Sequence, residues 1–267
     1  MKLNVRLVVV HLAVIASLAT FPAAAHEFWL DPVDFMPKAG DEVPVLHRTG
    51  INFLGDSYPY LREMAERFTV IDARGERPIK AVDGDDPAAD VSLPNAGLAI
   101  VAYQRAADTL VHPTIERFTE IVTIEGLAAI ASQHRAAGLP STDIRETYAR
   151  FAKSLLKVGN VSGPDRAVGL PFEIVFDGDP YQLPHGAPIR VHVLQAGKPV
   201  SNVLVKAFNL SDPMSPRTCR TTAEGYAELQ GVPSGEVLVS AVTMQRADQR
   251  SGAHWSSSWA SLTFRRP

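Results

Sequence analysis

The residue with the clearest chemical capacity is His26, which follows Phe21-Pro22-Ala23-Ala24-Ala25. Small residues after an apolar run are the mark of a signal-peptidase site. Cleavage after Ala25 gives His26 a free α-amino group, with a reference pKa of about 8, beside its own imidazole. Those two nitrogens can close a chelate ring on one metal ion. Cleavage after Ala24 leaves the amine of Ala25, the next amide and the imidazole as an equally compact nitrogen set. Such donors suit Cu(II), Ni(II), Co(II) and Zn(II) far better than calcium or magnesium. The competing reading, equally weighted by spacing alone, is a histidine that merely follows a signal site.

One residue cannot complete a coordination sphere, so partners must come from elsewhere in the chain. Seven histidines remain after cleavage, at 26, 47, 112, 134, 185, 192 and 254, and no two form a short-spaced pair. His134 falls on the apolar face of a predicted helix and reads as structural. His185 lies in a Leu-Pro-His-Gly turn and reads as solvated. His254, at the head of a Trp-rich final strand, is the preferred second ligand. Trp255 and Trp259 are four apart on that strand and share a face, which favours core packing over an aromatic platform for a ligand.

Other chemistry finds little support. There is no G-x-S-x-G elbow, G-x-G-x-x-G turn, P-loop or H-E-x-x-H helix, so the chain is not read as an enzyme. Copper redox catalysis through a histidine brace stands as the minor enzymatic alternative, and it requires a second histidine close to the terminal amine. The run Asp83-Gly84-Asp85-Asp86-Pro87 lacks the spaced glutamate of a calcium loop and reads as a surface turn.

Lys2 and Arg6, then an apolar stretch from Leu7 to Leu18, place a signal peptide at residues 1–25. This predicts periplasmic export, with no membrane span after cleavage. Removing the leader takes two basic residues and no acidic one, leaving 24 basic against 29 acidic, a net charge of −5. With no basic cluster of note, nucleic acid is excluded as a partner. Cys219 is the only cysteine, so no intramolecular disulfide forms, and a small buried strand residue is expected there.

The elements that must position these residues are mostly strands. Short apolar runs at Val43 to Leu46, Phe68 to Asp72 and Leu98 to Tyr103, between Gly, Pro and Asp clusters, predict a β domain over 26–165. A helical hairpin is expected within it, near 124–158. Its first helix carries Leu127, Ile130, Ala131 and His134. Its second is capped by Asp143 and Glu146 and striped by Ile144, Tyr148, Phe151, Leu155 and Val158. After the linker-like Gly159 to Pro164, five to seven short strands predict a transthyretin-like or Ig-like antiparallel β-sandwich over 166–267.

Taken together, His26-Glu27-Phe28-Trp29-Leu30, Asn52-Phe53-Leu54-Gly55-Asp56, Ala152-Lys153-Ser154-Leu155-Leu156, Pro199-Val200 with Val205-Lys206-Ala207, and Trp259-Ala260-Ser261-Leu262-Thr263-Phe264 resemble an uncharacterised bacterial periplasmic family. Many of its members are described as periplasmic components of cobalt or nickel uptake. The resemblance implies a two-part β protein that handles a divalent transition ion, nickel or cobalt first and copper or zinc next, beside a membrane uptake transporter. It carries metal-capable positions onto His26 and Glu27. It departs where Thr243 precedes Met244, since relatives often place a histidine there, and where His254 replaces an acidic residue. The expected metal ligands are therefore His26, Glu27 and His254. The alternative is a non-enzymatic envelope binding module with no metal site.

Overall fold

A computed structural model describes residues 27–267; the expected signal segment 1–25 and His26 lie outside the described residues. The first half of the chain runs β1 (Glu27–Pro32), β2 (Asp41–Ile51), β3 (Leu54–Tyr58), β4 (Ala65–Asp72), β5 (Gly75–Pro78), β6 (Ala89–Leu93), β7 (Gly97–Thr114), α1 (Ile115–Ile124), α2 (Ala128–Ala136) and β8 (Thr142–Val158). The second half runs β9 (Phe172–Phe176), β10 (Ile189–Gln195), β11 (Lys198–Pro199), β12 (Leu204–Asn209), β13 (Arg217–Arg220), β14 (Tyr226–Leu229), β15 (Gly235–Arg246) and β16 (Trp255–Arg266).

These strands make three sheets. The central one has eight strands in the order β13-β12-β15-β16-β8-β7-β4-β5. Its β16–β8 seam is parallel, and every other pair in it is antiparallel. A four-stranded sheet of β1, β2, β3 and β6 covers one face, and a second of β9, β10, β11 and β14 covers the other. The mostly β architecture with a helical insertion and β-sandwich packing is thus as expected. The central sheet runs across the boundary anticipated near residue 165, drawing four strands from each side of it.

Alternation along β7 shows how the layers form. Leu98, Ile100 and Ala102 enter the core shared with the C-terminal sheet, while Ala99, Val101 and Tyr103 enter the core shared with the N-terminal sheet. β8 does the same with Phe151 and Leu155 on one side and Ala152, Leu156 and Val158 on the other. A strand buried on both faces is apolar at both parities.

That explains one correction. Residues 142–158 are a 17-residue strand and not the second helix. A doubly buried strand offers apolar residues at nearly every position, so a subset at helical spacing can always be picked from it. Asp143 has a φ of 52°, and Glu146 faces His112 rather than capping a helix. The helix pair instead sits at the tip of the β7–β8 ribbon. Thr114 opposes Thr142, and its hydroxyl caps α1 by accepting from the Arg117 N–H at 3.3 Å. α2 falls where the Leu127 to His134 pattern placed a helix, and α1 was not anticipated. Cys219 lies on strand β13, half-buried rather than buried.

Two interior polar groups stand out. Lys153 is 1% exposed and reaches Asp165 at 2.9 Å and Glu173 at 3.3 Å. His47 is 0% exposed and has no hydrogen-bond partner on either ring nitrogen. It is ringed by Phe28, Tyr58, Tyr60, Phe68 and Tyr103, with the Tyr103 ring centroid 4.5 Å away. Burial lowers its pKa to about 4; Asp86 opposes that shift and Arg105 adds to it.

Because the folded pKa is depressed, the unfolded chain binds more protons between pH 6.5 and about 4, so stability falls as pH drops through that window. At about 1.4 kcal/mol per unit the loss is roughly 3 kcal/mol. A His47→Leu variant is expected to lack this component. Urea unfolding at pH 7 and pH 4 checks it, and equal pH sensitivity in variant and wild type would refute the assignment.

Candidate functional site

β1 lies over the central sheet and alternates cleanly. Phe28 and Leu30 enter the N-terminal core, while Trp29 packs with Phe53, Phe208 and Leu238. Two residues before Trp29, Glu27 meets Lys206 of β12 at 3.2 Å. The strand is pinned further along, where the Thr263 hydroxyl donates to the Leu30 carbonyl at 2.8 Å.

Lys206 holds a second carboxylate, Glu125 at 2.7 Å. Glu125 is the C-cap residue of α1, so the triad joins a strand start, a helix end and a sheet interior. All three side chains are buried, with Glu27 and Glu125 at 5% and Lys206 at 8% exposure. Burial pushes the Glu125 carboxyl up from its ordinary range, the Lys206 ammonium pulls it back, and Glu27 adds to the rise. Burial alone would lower the Lys206 pKa, but Glu125 and Glu27 together hold it above its usual value. Two carboxylates against one ammonium leave one negative charge uncompensated.

The triad opens on a cavity of about 230 Å³ whose walls include Ile51, Asn52, Ile121 and Ile124. At its rim Arg117 pairs with Glu120 at 2.6 Å. Ile51 and Asn52 belong to the β2–β3 turn, whose shape is tightly specified. Asn52 and Phe53 have φ of 56° and 65°, a pair of left-handed residues suited to a tight hairpin but costly for Phe. Burial of the Phe53 ring against Trp29, with centroids 5.4 Å apart, offsets that cost. Gly50 and Gly55 face each other so closely that a Cβ would lie 2.0 Å from the Leu54 carbonyl oxygen or 2.2 Å from that of Thr49.

His254 is placed elsewhere, which corrects the expected ligand set. Lys206, Ser240 and Ser261 oppose one another across β12, β15 and β16. His254 lies seven residues before Ser261, roughly 20 Å away along an extended chain. It cannot share an ion with Glu27. Its Nδ1 accepts the Arg145 N–H at 2.9 Å, so in the neutral ring the proton sits on Nε2 and no lone pair is left for a metal. His134 is structural, as expected: Nδ1 accepts from Trp255 Nε1 at 2.9 Å and Nε2 donates to the Pro140 carbonyl at 2.8 Å. Trp255 and Trp259 are buried, in keeping with a packing role.

Sequence reasoning missed Glu125, Lys206 and a buried chain around His112. His112 meets Glu146 at 2.7 Å, Ser257 donates to the other Glu146 oxygen, and Trp259 Nε1 donates to Ser257 at 2.9 Å. Among the described residues no group of three His, Cys, Asp or Glu side chains is placed to hold a metal ion.

Three of the five segments that carry the resemblance meet at the triad, since Glu27, Asn52 and Lys206 line its cavity. A family model of DUF4198, a domain of unknown function, matches residues 23–245. No curated protein matches the chain significantly. A similar solved structure is the D0-D1 domain of Intimin, with 13% identity over 89% of this chain and 97% of that one. Its TM-score is 0.21.

Replacing Gly50 with Ala is expected to cost about 2 kcal/mol or more, because backbone must shift to admit the methyl. An Ile51→Ala change at the neighbouring, half-exposed position should cost well under 1 kcal/mol. Thermal unfolding of the two variants checks the ranking.

Proposed function

The chain belongs to the DUF4198 family, and from that premise we propose that it is an exported, periplasmic protein that binds a divalent transition ion at the amino-terminal edge of its fold. Nickel and cobalt are the first candidates, copper and zinc the next, and a membrane uptake transporter is the proposed recipient. The protein acts as a buffer or carrier and not as an enzyme.

The observation that supports this reading is the position of Glu27. The residue adjoining His26 is a buried carboxylate, in a cavity with one uncompensated negative charge. An ion held by the His26 imidazole and the nearby amine would take an oxygen from Glu27. Mixed nitrogen and oxygen donors suit late first-row divalent ions. His254, too distant and with its lone pair committed, is not a ligand in this proposal. No helix among the described residues is long and apolar enough to cross a membrane.

The rim of the cavity is unusually apolar for a surface. Ile51 is 50% exposed, Ile124 61%, and Met214, bonded to Asn52, 70%. Exposed apolar side chains gathered at one place favour contact with a partner. They also favour the second reading, a non-enzymatic envelope module that meets another macromolecule here and holds no ion.

Calorimetric titration of nickel, cobalt, copper and zinc into the mature protein separates the two. Binding by wild type and by His254→Ala, with loss in His26→Ala, is the expected result. Equal binding by His26→Ala and wild type defeats the metal proposal, and flat traces with every ion leave the interaction module standing.

A further inference from the structure

The chain has three tryptophans, all of them buried. Two have an acceptor for the indole N–H: Trp255 donates to His134 and Trp259 to Ser257, both at 2.9 Å. The third, Trp29, is 1% exposed, and its Nε1 has no hydrogen-bond partner among the described residues. Buried indole N–H groups ordinarily find one. Trp29 also lines a cavity of about 230 Å³ that shares no lining residue with the one beside Lys206.

Strand rows build this cavity. The Trp29 ring packs with Phe208 of β12 and Leu238 of β15. Two residues away along each chain segment, and so on the same faces, come Asp31, Leu210 and Glu236, which line the cavity. The β12–β15 ladder extends that far, since the Leu210 N–H donates to the Glu236 carbonyl at 3.1 Å. Phe53, Leu54 and Gly55 complete the wall. Leu54 and Leu210 are 51% and 44% exposed, so apolar surface continues from the cavity to solvent.

The polar groups restrict what can bind. Asp31 is engaged by Arg48 Nε, and Arg48 also donates to the Gly55 carbonyl at 3.1 Å. Glu236 has no such partner. Burial and the charge of Asp31 push its carboxyl up from the ordinary range, and Arg265, opposite it on β16, pulls it back. A ligand here meets an indole donor that cannot accept and a carboxylate that cannot donate. An ammonium would suit Glu236 and leave Trp29 unpaired. A carboxylate or phosphate would suit Trp29 and be repelled by Glu236 and Asp31. Hydroxyl groups accept from the one and donate to the other, and the carbon ring that bears them offers C–H surface to Leu54 and Leu210. The bordering charges, Asp31 and Glu236 against Arg48 and Arg265, balance, and a neutral ligand keeps that balance.

We propose that this cavity binds a neutral polyhydroxylated ligand of the saccharide class, with Trp29 as hydrogen-bond donor and Glu236 as acceptor. It is smaller than the roughly 300–1,000 Å³ sites of drug-sized ligands, so it takes one sugar unit. A longer saccharide has room to continue, because Leu210 and Glu236 also border a second cavity of about 310 Å³ that reaches Arg265. None of these residues belongs to the proposed ion site.

Proton–nitrogen NMR of the metal-free mature protein tests this, because each indole N–H gives its own signal. The probes are glucose, galactose, mannose and N-acetylglucosamine, the linear trisaccharide of whichever binds, and ethylammonium and acetate as charged controls. The expected result is a shift of the Trp29 signal with a saccharide while those of Trp255 and Trp259 stay in place. Glu236→Ala is expected to weaken that binding about 10-fold or more, and Trp29→Phe, which removes the N–H and keeps a ring, about 3–10-fold. If Trp29→Phe does not fold, the half-buried Glu236→Ala carries the test on its own.

Tighter binding of the trisaccharide than of its monomer points to a polymer as the source and equal binding to a free sugar; both support the proposal. A Trp29 signal that moves with no saccharide overturns it. So does ethylammonium binding that Glu236→Ala abolishes and Trp29→Phe leaves unchanged, the mark of a cation site on an acid pair. His26→Ala should bind saccharide as wild type does, so this inference and the ion proposal fail separately.

Discussion

Burial of both faces of β7 and β8 governs how everything else in this molecule is arranged. Successive side chains of these strands belong to opposite cores, so a one-residue slip in register would exchange the two sets and leave both cores misfilled. The outer sheets are therefore held in fixed positions relative to a common layer. The parallel seam between β16 and β8 joins the chain's halves within that layer. Thr263 donates to the Leu30 carbonyl on β1 and accepts from the Ser154 hydroxyl on β8, tying the N-terminal strand across the seam. The site follows from this. β1 can place Trp29 over Phe208 and Leu238 only by placing Glu27, two residues earlier, over Lys206.

The helix pair supplies the remaining wall. It grows from the tip of the β7–β8 ribbon and folds back so that α1 ends beside β12. Arg220 donates to the Gly126 carbonyl at 2.6 Å, and a Cβ on Gly126 would lie 2.7 Å from Leu204. Close approach at that glycine is what brings Glu125 to Lys206. A carboxylate at a helix C-terminus sits against the unfavourable end of the helix dipole, as well as being buried beside another carboxylate. Such an arrangement needs the lysine or another cation to persist. The triad is thus a joint between three elements distant in sequence, and its charge state is coupled to how firmly they are docked.

How much of this was legible in the sequence depends on range. The β class, the strands at 43–46, 68–72 and 98–103, the helix near 127–134 and the outline of the final strand all follow from local pattern and turn chemistry. The strand at 142–158 did not, because period-2 alternation vanishes when both faces are covered and a helical stripe can then be read into it. Glu27 could be named only through the family resemblance, as the acidic neighbour of His26. Lys206 was given no role of its own, since nothing near it in sequence announces that a strand from the chain's start and a helix end will cover that face. Glu125 closes a helix that local pattern did not find. His254 was chosen for its position at the head of a strand, yet a ligand is decided by whether its nitrogen lone pair is free, and that was set by the Arg145 N–H, 109 residues away.

The histidines bear on which ion the proposed site would prefer. A neutral imidazole has one acceptor nitrogen. In His134 it is taken by Trp255 and in His254 by Arg145. His112 engages the buried Glu146, and His47 is sealed at 0% exposure. Among the described residues the cavity at the triad therefore offers carboxylate oxygens and no imidazole. In the proposed function, a set that joined a His26 chelate to the Glu27 carboxylate would be harder than the histidine-rich or sulfur-rich sites that hold copper, and would suit nickel, cobalt or zinc. The Met214 thioether is 70% exposed and already accepts from the Asn52 amide, so it brings no free soft donor to the cavity.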